Sequence, residues 1–305
     1  MSIGRDPAET GRLLRRASLA SVTVAGGLIL LKAGGYVLTD SVSLLSSLID
    51  SLLDLAASTV NAVALRHALT PADREHRFGH GKAEPLAGLG QAAFVAGSAA
   101  LLLVEAIRRL AAPRMVQNAD IGIAVMAIGI AATVALVIYQ RRVARATGSV
   151  AIGADALHYQ TDVMVNGAVI AALVLDGAFG APWLDPVFAM AIGLYILWSA
   201  GRIVGLSVAQ LMDRELPDAE RGRIRAIAEG HPDVRAVHDL RTRTAGPQVF
   251  IQLHLELDAD MPLGRAHDIS QAVEDAIQAA FPHAEVIIHQ DPTTMNAIAP
   301  AHPVL

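Results

Sequence analysis

PLAGLGQAAFVAGSAALLLV, residues 85–104, holds twenty positions without a charge, and IGIAVMAIGIAATVALVIYQ, residues 121–140, is a second such run. The hydrocarbon core of a bilayer asks for about 20 mostly apolar residues per helix, so each run is long enough to span one. Four further segments reach that length with interruptions: 17–38 by Lys32, 43–66 by Asp50 and Asp54, 150–175 by Asp155 and Asp162, and 186–211 by Arg202. The expectation is six transmembrane helices within 17–212. The first run follows Arg12, Arg15 and Arg16 as a secretory signal would, but it is long, contains Lys32 and precedes five more spans, which favours an uncleaved first helix.

Composition agrees. The 305 residues are 53% hydrophobic and 17% charged, against about 25% charged in soluble domains, and the mean hydropathy is +0.44. Charge is unevenly spread, with 24 charged residues in 17–212 and 23 in the much shorter stretch 213–291. That step divides the chain into a cytoplasmic N-terminal segment 1–16, a membrane domain 17–212, a soluble domain 213–292 and a loose tail 293–305. Absence of cysteine excludes disulfides, iron–sulfur clusters and thiolate metal sites, so any metal must rest on His, Asp or Glu. The net charge of -5 and the lack of a basic, aromatic-interleaved stripe give no sign of nucleic acid. With the N-terminus inside, eleven basic residues fall in cytoplasmic segments and three, Arg108, Arg109 and Arg114, on the other side, so both termini are expected in the cytoplasm.

Beyond Asp213 the pattern is α+β. Residues 217–230 start with Pro and close on Gly as a capped helix does, 234–244 and 248–257 have β-like content, 264–281 reads as a helix and 284–290 as a strand. The order αββαβ predicts one sheet covered by two helices.

Ionisable residues at mid-span cost a few kcal/mol on insertion scales and need a reason. Asp50 and Asp54 lie four apart, which places both carboxylates on one helix face, where they repel unless a cation or proton sits between them. His158 and Asp162 repeat the spacing on the fifth span. Face to face, the two pairs offer three carboxylates and an imidazole, a set suited to tetrahedral Zn2+ and acceptable to Fe2+ or Cd2+. Asp155, one turn before His158, is expected near the cytoplasmic end of its span. In the loop PADREHRFGHGKAE, Asp73, His76 and His80 fall within eight residues and make a metal-like cluster; HRFGH lacks the glutamate of the zinc-protease motif, which argues against a hydrolase. Six of eleven histidines, His231, His238, His254, His267, His283 and His289, lie in the soluble domain, and VIIHQDP adds Asp291; as a group they point to a second metal-binding region.

These spans, the two paired motifs, PADREHRFGHGKAE, LMDRELPD, HDLRTR and VIIHQDP in this order resemble the cation diffusion facilitators, in particular their bacterial zinc and ferrous-iron efflux branch, from about residue 10 to 292. The resemblance implies a homodimer in the bacterial inner membrane that exchanges cytoplasmic divalent metal for external protons and is not an enzyme. It implies a transport site at Asp50, Asp54, His158 and Asp162 and a loop site at Asp73, His76 and His80. It further implies a binuclear cytoplasmic site at His238, His254, His289 and Asp291, joined by His267 and the Gln290 carbonyl, in a metallochaperone-like αββαβ domain. Lys82 and Asp213 match a charged interlock between protomers, whereas His231 and His283 match no ligand. Zn2+ is the implied substrate and regulatory ion, with Fe2+ or Cd2+ as further substrates. Competing readings are a membrane-anchored metal sensor without transport and an intramembrane metallohydrolase, for which four protein ligands leave no open position. Mg2+ is disfavoured because it tolerates His poorly.

Overall fold

Long apolar segments in this chain become long helices. The computed structural model describes residues 7–39, 42–111, 120–179, 184–282 and 284–293. Helices α1 (Pro7–Thr39), α2 (Val42–Ala68), α3 (Ala83–Ala111), α4 (Asp120–Thr147), α5 (Val150–Phe179) and α6 (Leu184–Leu211) cover the six expected segments. Among the described residues, four of them are long and apolar enough to cross a membrane, over Ala8–Leu38, Ala83–Arg108, Ala127–Thr147 and Pro186–Leu211. The other two, α2 and α5, carry the paired carboxylates.

Apolar and polar side chains in this unit are distributed as lipid demands. Leu30, Leu38, Leu101, Leu194 and Trp198 are exposed, while Ser21, Ser58, Asn61, Gln140 and Asp155 are buried. Lipid tails are as apolar as leucine, so a helix gains nothing by hiding leucine and much by pairing its polar groups internally. Small residues let helices approach closely. A Cβ added at Gly193 of α6 would stand 2.8 Å from Cγ and Cδ2 of Leu103 on α3. Asp155 lies five residues into α5, near the end of its span as expected, and within this buried interior. It is fully buried, accepting hydrogen bonds from Gln140 Nε2 (2.6 Å) and Ser58 Oγ (3.3 Å), and so ties α5 to α4 and α2.

The chain divides at Met212 into two compact units. Asp213 adopts φ 55°, the left-handed turn that commonly ends a helix. The second unit runs α7 (Asp218–Glu229), β1 (Ala236–Ala245), β2 (Gln248–Leu257), α8 (Leu263–Ala280) and β3 (Glu285–Pro292), as the αββαβ expectation had it. Strands pair in the order β1-β2-β3, the first pair antiparallel and the second parallel, with α8 as the crossover. Gly246, at φ 58°, takes the first central position of the two-residue β1–β2 turn, where glycine has no steric penalty.

Period-two alternation gives this sheet two unlike faces. Ile251, Leu253, Leu255 and Leu257 of β2 form one core with Ile224 of α7 and with Ile269, Val273, Ile277 and Phe281 of α8 or its end. Gln252, His254 and Glu256 point from the opposite face, which leaves an open polar surface for the metal-like residues. The tail from 294 and His283 fall outside the described residues.

Candidate metal centres

Register builds the cluster in the soluble unit. His238 pairs with His254 across β1 and β2, and His254 with His289 across β2 and β3, so three imidazoles stand in one row over three strands. Ring centroids are 5.2 Å and 4.7 Å apart along that row. Asp291, two residues after His289 and therefore on the same face, reaches all three rings. Its Oδ2 lies 2.8 Å from His254 Nδ1 and 3.1 Å from His238 Nε2, and its Oδ1 3.3 Å from His289 Nε2. Burial pushes the Asp291 carboxyl up, but the His254 hydrogen bond and the three nearby imidazoles outweigh it and hold it below the usual carboxylate range.

The β1 strand slips its register between His238 and Arg241, and Asp239 at that bulge has φ 47°. A bulge re-aims side chains, and here it brings Asp239 Oδ2 to 3.7 Å from His254 Nε2. The Arg241 guanidinium, hydrogen-bonded to the same carboxylate, holds Asp239 below its ordinary value. Glu256 approaches His238 from the other side, at 3.5 Å.

Two expected members do not join the row. Gln290 alternates onto the core face, where its side-chain Nε2 donates to Ser270 Oγ (2.9 Å) and Ala266 O (3.4 Å). His267 is exposed on α8 and lies outside the donor cluster of His238, His254 and Asp291.

In the loop after α2, Asp73 Oδ1 accepts from the backbone N–H of His76 (2.7 Å) and Glu75 (2.9 Å), an Asx-type turn. Those donated hydrogen bonds, that from His76 foremost, lower the Asp73 pKa. The turn presents His76 Nδ1 at 3.5 Å and His80 Nε2 at 3.4 Å from the carboxylate. His67, from the end of α2, also packs its ring 4.5 Å from that of His80.

The third cluster lies within the helical unit. One ligand atom each from Asp54 on α2 and from His158 and Asp162 on α5 falls within 4.8 Å of the others, with His158 Nε2 2.9 Å from Asp54 Oδ1. His158 is buried, with the Phe94 ring 5.6 Å away. Asp50 is exposed and stands outside this tight group, but it lines the same cavity of about 300 Å³ as Asp54 and Asp162. Lys32 of α1 enters that cavity too, its Nζ donating to Ser51 Oγ at 2.6 Å. Donor atoms this close can settle around an ion at the ~2.0–2.2 Å of zinc–nitrogen and zinc–oxygen bonds by side-chain adjustment.

Residues 18–212 match the cation efflux transmembrane domain and residues 216–293 the cytoplasmic domain of cation efflux proteins. The cation-efflux pump FieF of Klebsiella pneumoniae is 48% identical over 285 residues, 93% of this chain and 95% of the pump. The FieF pump of Serratia proteamaculans is 48% identical over 284 residues, 93% and 94% of the two chains. A solved chain of CzrB, 38% identical, covers 26% of this chain and 99% of its own length with a TM-score of 0.25.

The chain belongs to the cation diffusion facilitator family. Its relatives are cation efflux pumps and not enzymes. Within this efflux protein, the residues that sequence reasoning passed over are Lys32, His67, Asp239 and Glu256. Lys32 stood out only as an interruption in a span, and HDLRTR contains Asp239, but no spacing rule tells that a bulge turns it toward His254. Lys82 Nζ donates to Leu211 O (3.4 Å), and Asp213 Oδ1 accepts from Arg243 (3.5 Å), each inside its own unit.

Proposed function

We propose that this protein is a homodimeric, proton-coupled antiporter that exports Zn2+, and also Cd2+ and Fe2+, from the bacterial cytoplasm across the inner membrane. On this reading all six long helices span the bilayer and both termini face the cytoplasm. The observation that carries it is the convergence of the half-buried Asp54 and Asp162 on the buried His158, beside a cavity that Asp50 also lines. Ionisable groups at membrane depth are expensive, and an ion that must be bound and released is the physical reason to keep them.

Exchange follows from ligand chemistry. Metal needs ionised carboxylates and a neutral His158, so metal and protons compete for the same atoms. Cytoplasmic metal displaces protons, and external protons then displace metal as the helices rock around a fixed site. His158 is the ligand whose reference pKa, about 6.5, lies nearest working pH, and it carries much of the coupling. Zinc-driven proton flux in vesicles tests this: His158→Asp should alter its pH dependence, and an unchanged stoichiometry and profile would remove His158 from the role. Asp50→Ala should abolish transport in folded protein, and full-rate flux from that variant would exclude Asp50 from the site.

The soluble unit supports a sensing role. The His238, His254, His289 and Asp291 row offers nitrogen and oxygen donors of the kind zinc takes, and metal bound there would draw two protomers together. His254→Ala should weaken both zinc binding and dimer stability. The same row also favours the second reading, a membrane-anchored sensor without transport, and a flux assay separates the two.

A further inference from the structure

A second cavity, of about 330 Å³, opens between α4, α5 and α6 and takes no part in the metal chemistry. Three arginines line it: Arg141 and Arg145, one turn apart on α4, and Arg202 on α6. On α6, Tyr195, Trp198 and Arg202 recur at i, i+3 and i+7, so they share one helix face. The Arg202 guanidinium lies over the Trp198 ring, 5.1 Å from its centroid. Arg141 hydrogen-bonds Gln160 of α5, and Gln160 Nε2 in turn donates to Tyr195 Oη at 3.4 Å.

Among the described residues, no carboxylate lines this cavity. Three arginines around one cavity concentrate positive charge there, and their forked guanidinium donors match phosphate oxygens. The location narrows the ligand. Arg141 stands six residues before the end of α4 and Arg202 nine before the end of α6, which is about 9 and 14 Å of helix at 1.5 Å per residue. Arginine side chains at such depth extend toward the headgroup layer, where tryptophan and tyrosine also concentrate. Leu206 and Trp198 line the cavity and are exposed, an apolar edge that suits acyl chains and not a free aqueous anion. Basic pockets between membrane helices on the cytoplasmic side are where anionic headgroups bind.

We infer that Arg141, Arg145 and Arg202 form a binding site for the headgroup of an anionic phospholipid, with Trp198 and Tyr195 at its interfacial edge. Trp198 reports on this directly. The chain has two tryptophans, so full-length Trp183→Phe protein carries Trp198 as its sole indole. That protein is reconstituted in vesicles of phosphatidylcholine containing either brominated phosphatidylglycerol or brominated phosphatidylcholine, and quenching of Trp198 is compared. Phosphatidylglycerol should be preferred at the site, with each arginine contributing about fivefold. Arg202→Gln should lower the preference by about that factor, and Arg141→Gln with Arg202→Gln should lower it by about 25-fold, to the roughly fivefold that Arg145 alone supplies, each normalised to its own fluorescence in unbrominated lipid. Adding inorganic phosphate should leave the preference unchanged. Equal quenching by the two lipids in the Trp183→Phe protein would overturn the proposal without recourse to any arginine variant. Loss of the preference on adding inorganic phosphate would overturn the lipid assignment in favour of a small anion, and a preference untouched by the double substitution would remove the arginines from the site.

Discussion

Replacing Asp291 by asparagine keeps the side chain's shape and removes the charge that three imidazoles share. Its oxygens lie 2.8, 3.1 and 3.3 Å from His254, His238 and His289, so one substitution disturbs every imidazole of the row. Support groups around metal sites are worth 10–100-fold in affinity, and a group in direct reach of the ion belongs at the upper end, about 100-fold or ~2.7 kcal/mol. In metal-free protein the same change removes a charge-assisted hydrogen bond. Such bonds are worth about 1.5–3 kcal/mol, and with the Asp291 side chain 29% exposed the lower figure, about 1.5 kcal/mol, applies. The pH dependence has a definite sign. The Asp291 carboxyl sits below its ordinary value in the fold, so the unfolded chain takes up the proton first as pH falls. Its contribution is therefore complete above the unfolded carboxylate pKa of about 3.9 and disappears as pH drops through the lower folded value. The gap between wild type and Asp291→Asn should be full at pH 7 and should close below about pH 4. Zinc titration against a competing chelator, in an Asp54→Ala, Asp73→Ala background that silences the other two clusters, measures the affinity, and amide exchange in β2 and β3 across pH measures the stability. Zinc affinity within twofold of wild type, or a stability gap that does not close in acid, would refute this account of the row.

Other expectations follow from the packing. Phe281→Ala empties the contact of α8 with the sheet and should cost about 3–5 kcal/mol, seen as faster exchange of α8 and β2 amides. Gly193→Val drives a branched side chain into Leu103, 2.8 Å from where its Cβ would stand; it should cost about 1–3 kcal/mol and lower the thermal midpoint in detergent, with partial recovery on adding Leu103→Ala. Asp155→Ala leaves Gln140 Nε2 without its buried acceptor and removes the Ser58 hydrogen bond and should destabilise the helical unit by about 1–3 kcal/mol while sparing zinc binding at His238, His254 and Asp291. His67→Ala should weaken metal binding at Asp73, His76 and His80 if its ring contact with His80 reflects a shared ligand shell, as a calorimetric titration of the loop site would detect.

Much of this architecture can be read from periodicity. The uncharged runs at 85–104 and 121–140 announce helices α3 and α4 because nothing else satisfies a backbone in lipid. The αββαβ order follows from capping and β-branched content, and the pairs Asp50 with Asp54 and His158 with Asp162 follow from i, i+4 spacing, whereas the tight grouping of Asp54 with His158 and Asp162, with Asp50 outside it, shows only in the packing. What escapes is whatever depends on cross-element placement. Gln290 lies between His289 and Asp291 in sequence, yet strand alternation turns its side chain to Ser270. Asp155 is expected near the end of its span, where it lies, but only packing shows that it is a buried tie between three helices. Lys32 shows as an interruption of an apolar run, and only packing shows that it shares a cavity with Asp50, Asp54 and Asp162.

The central claim is that Asp54, His158 and Asp162 hold a metal ion in exchange for protons. Simultaneous recording of zinc and proton movement in proteoliposomes, driven by an imposed pH gradient, tests it most directly. Wild-type protein should move zinc and protons in opposite directions, with uphill zinc transport only when the proton gradient is present, and Asp54→Ala should abolish both fluxes in protein that elutes and melts as wild type. Zinc flux that is indifferent to the proton gradient, or that survives in Asp54→Ala, would contradict the account.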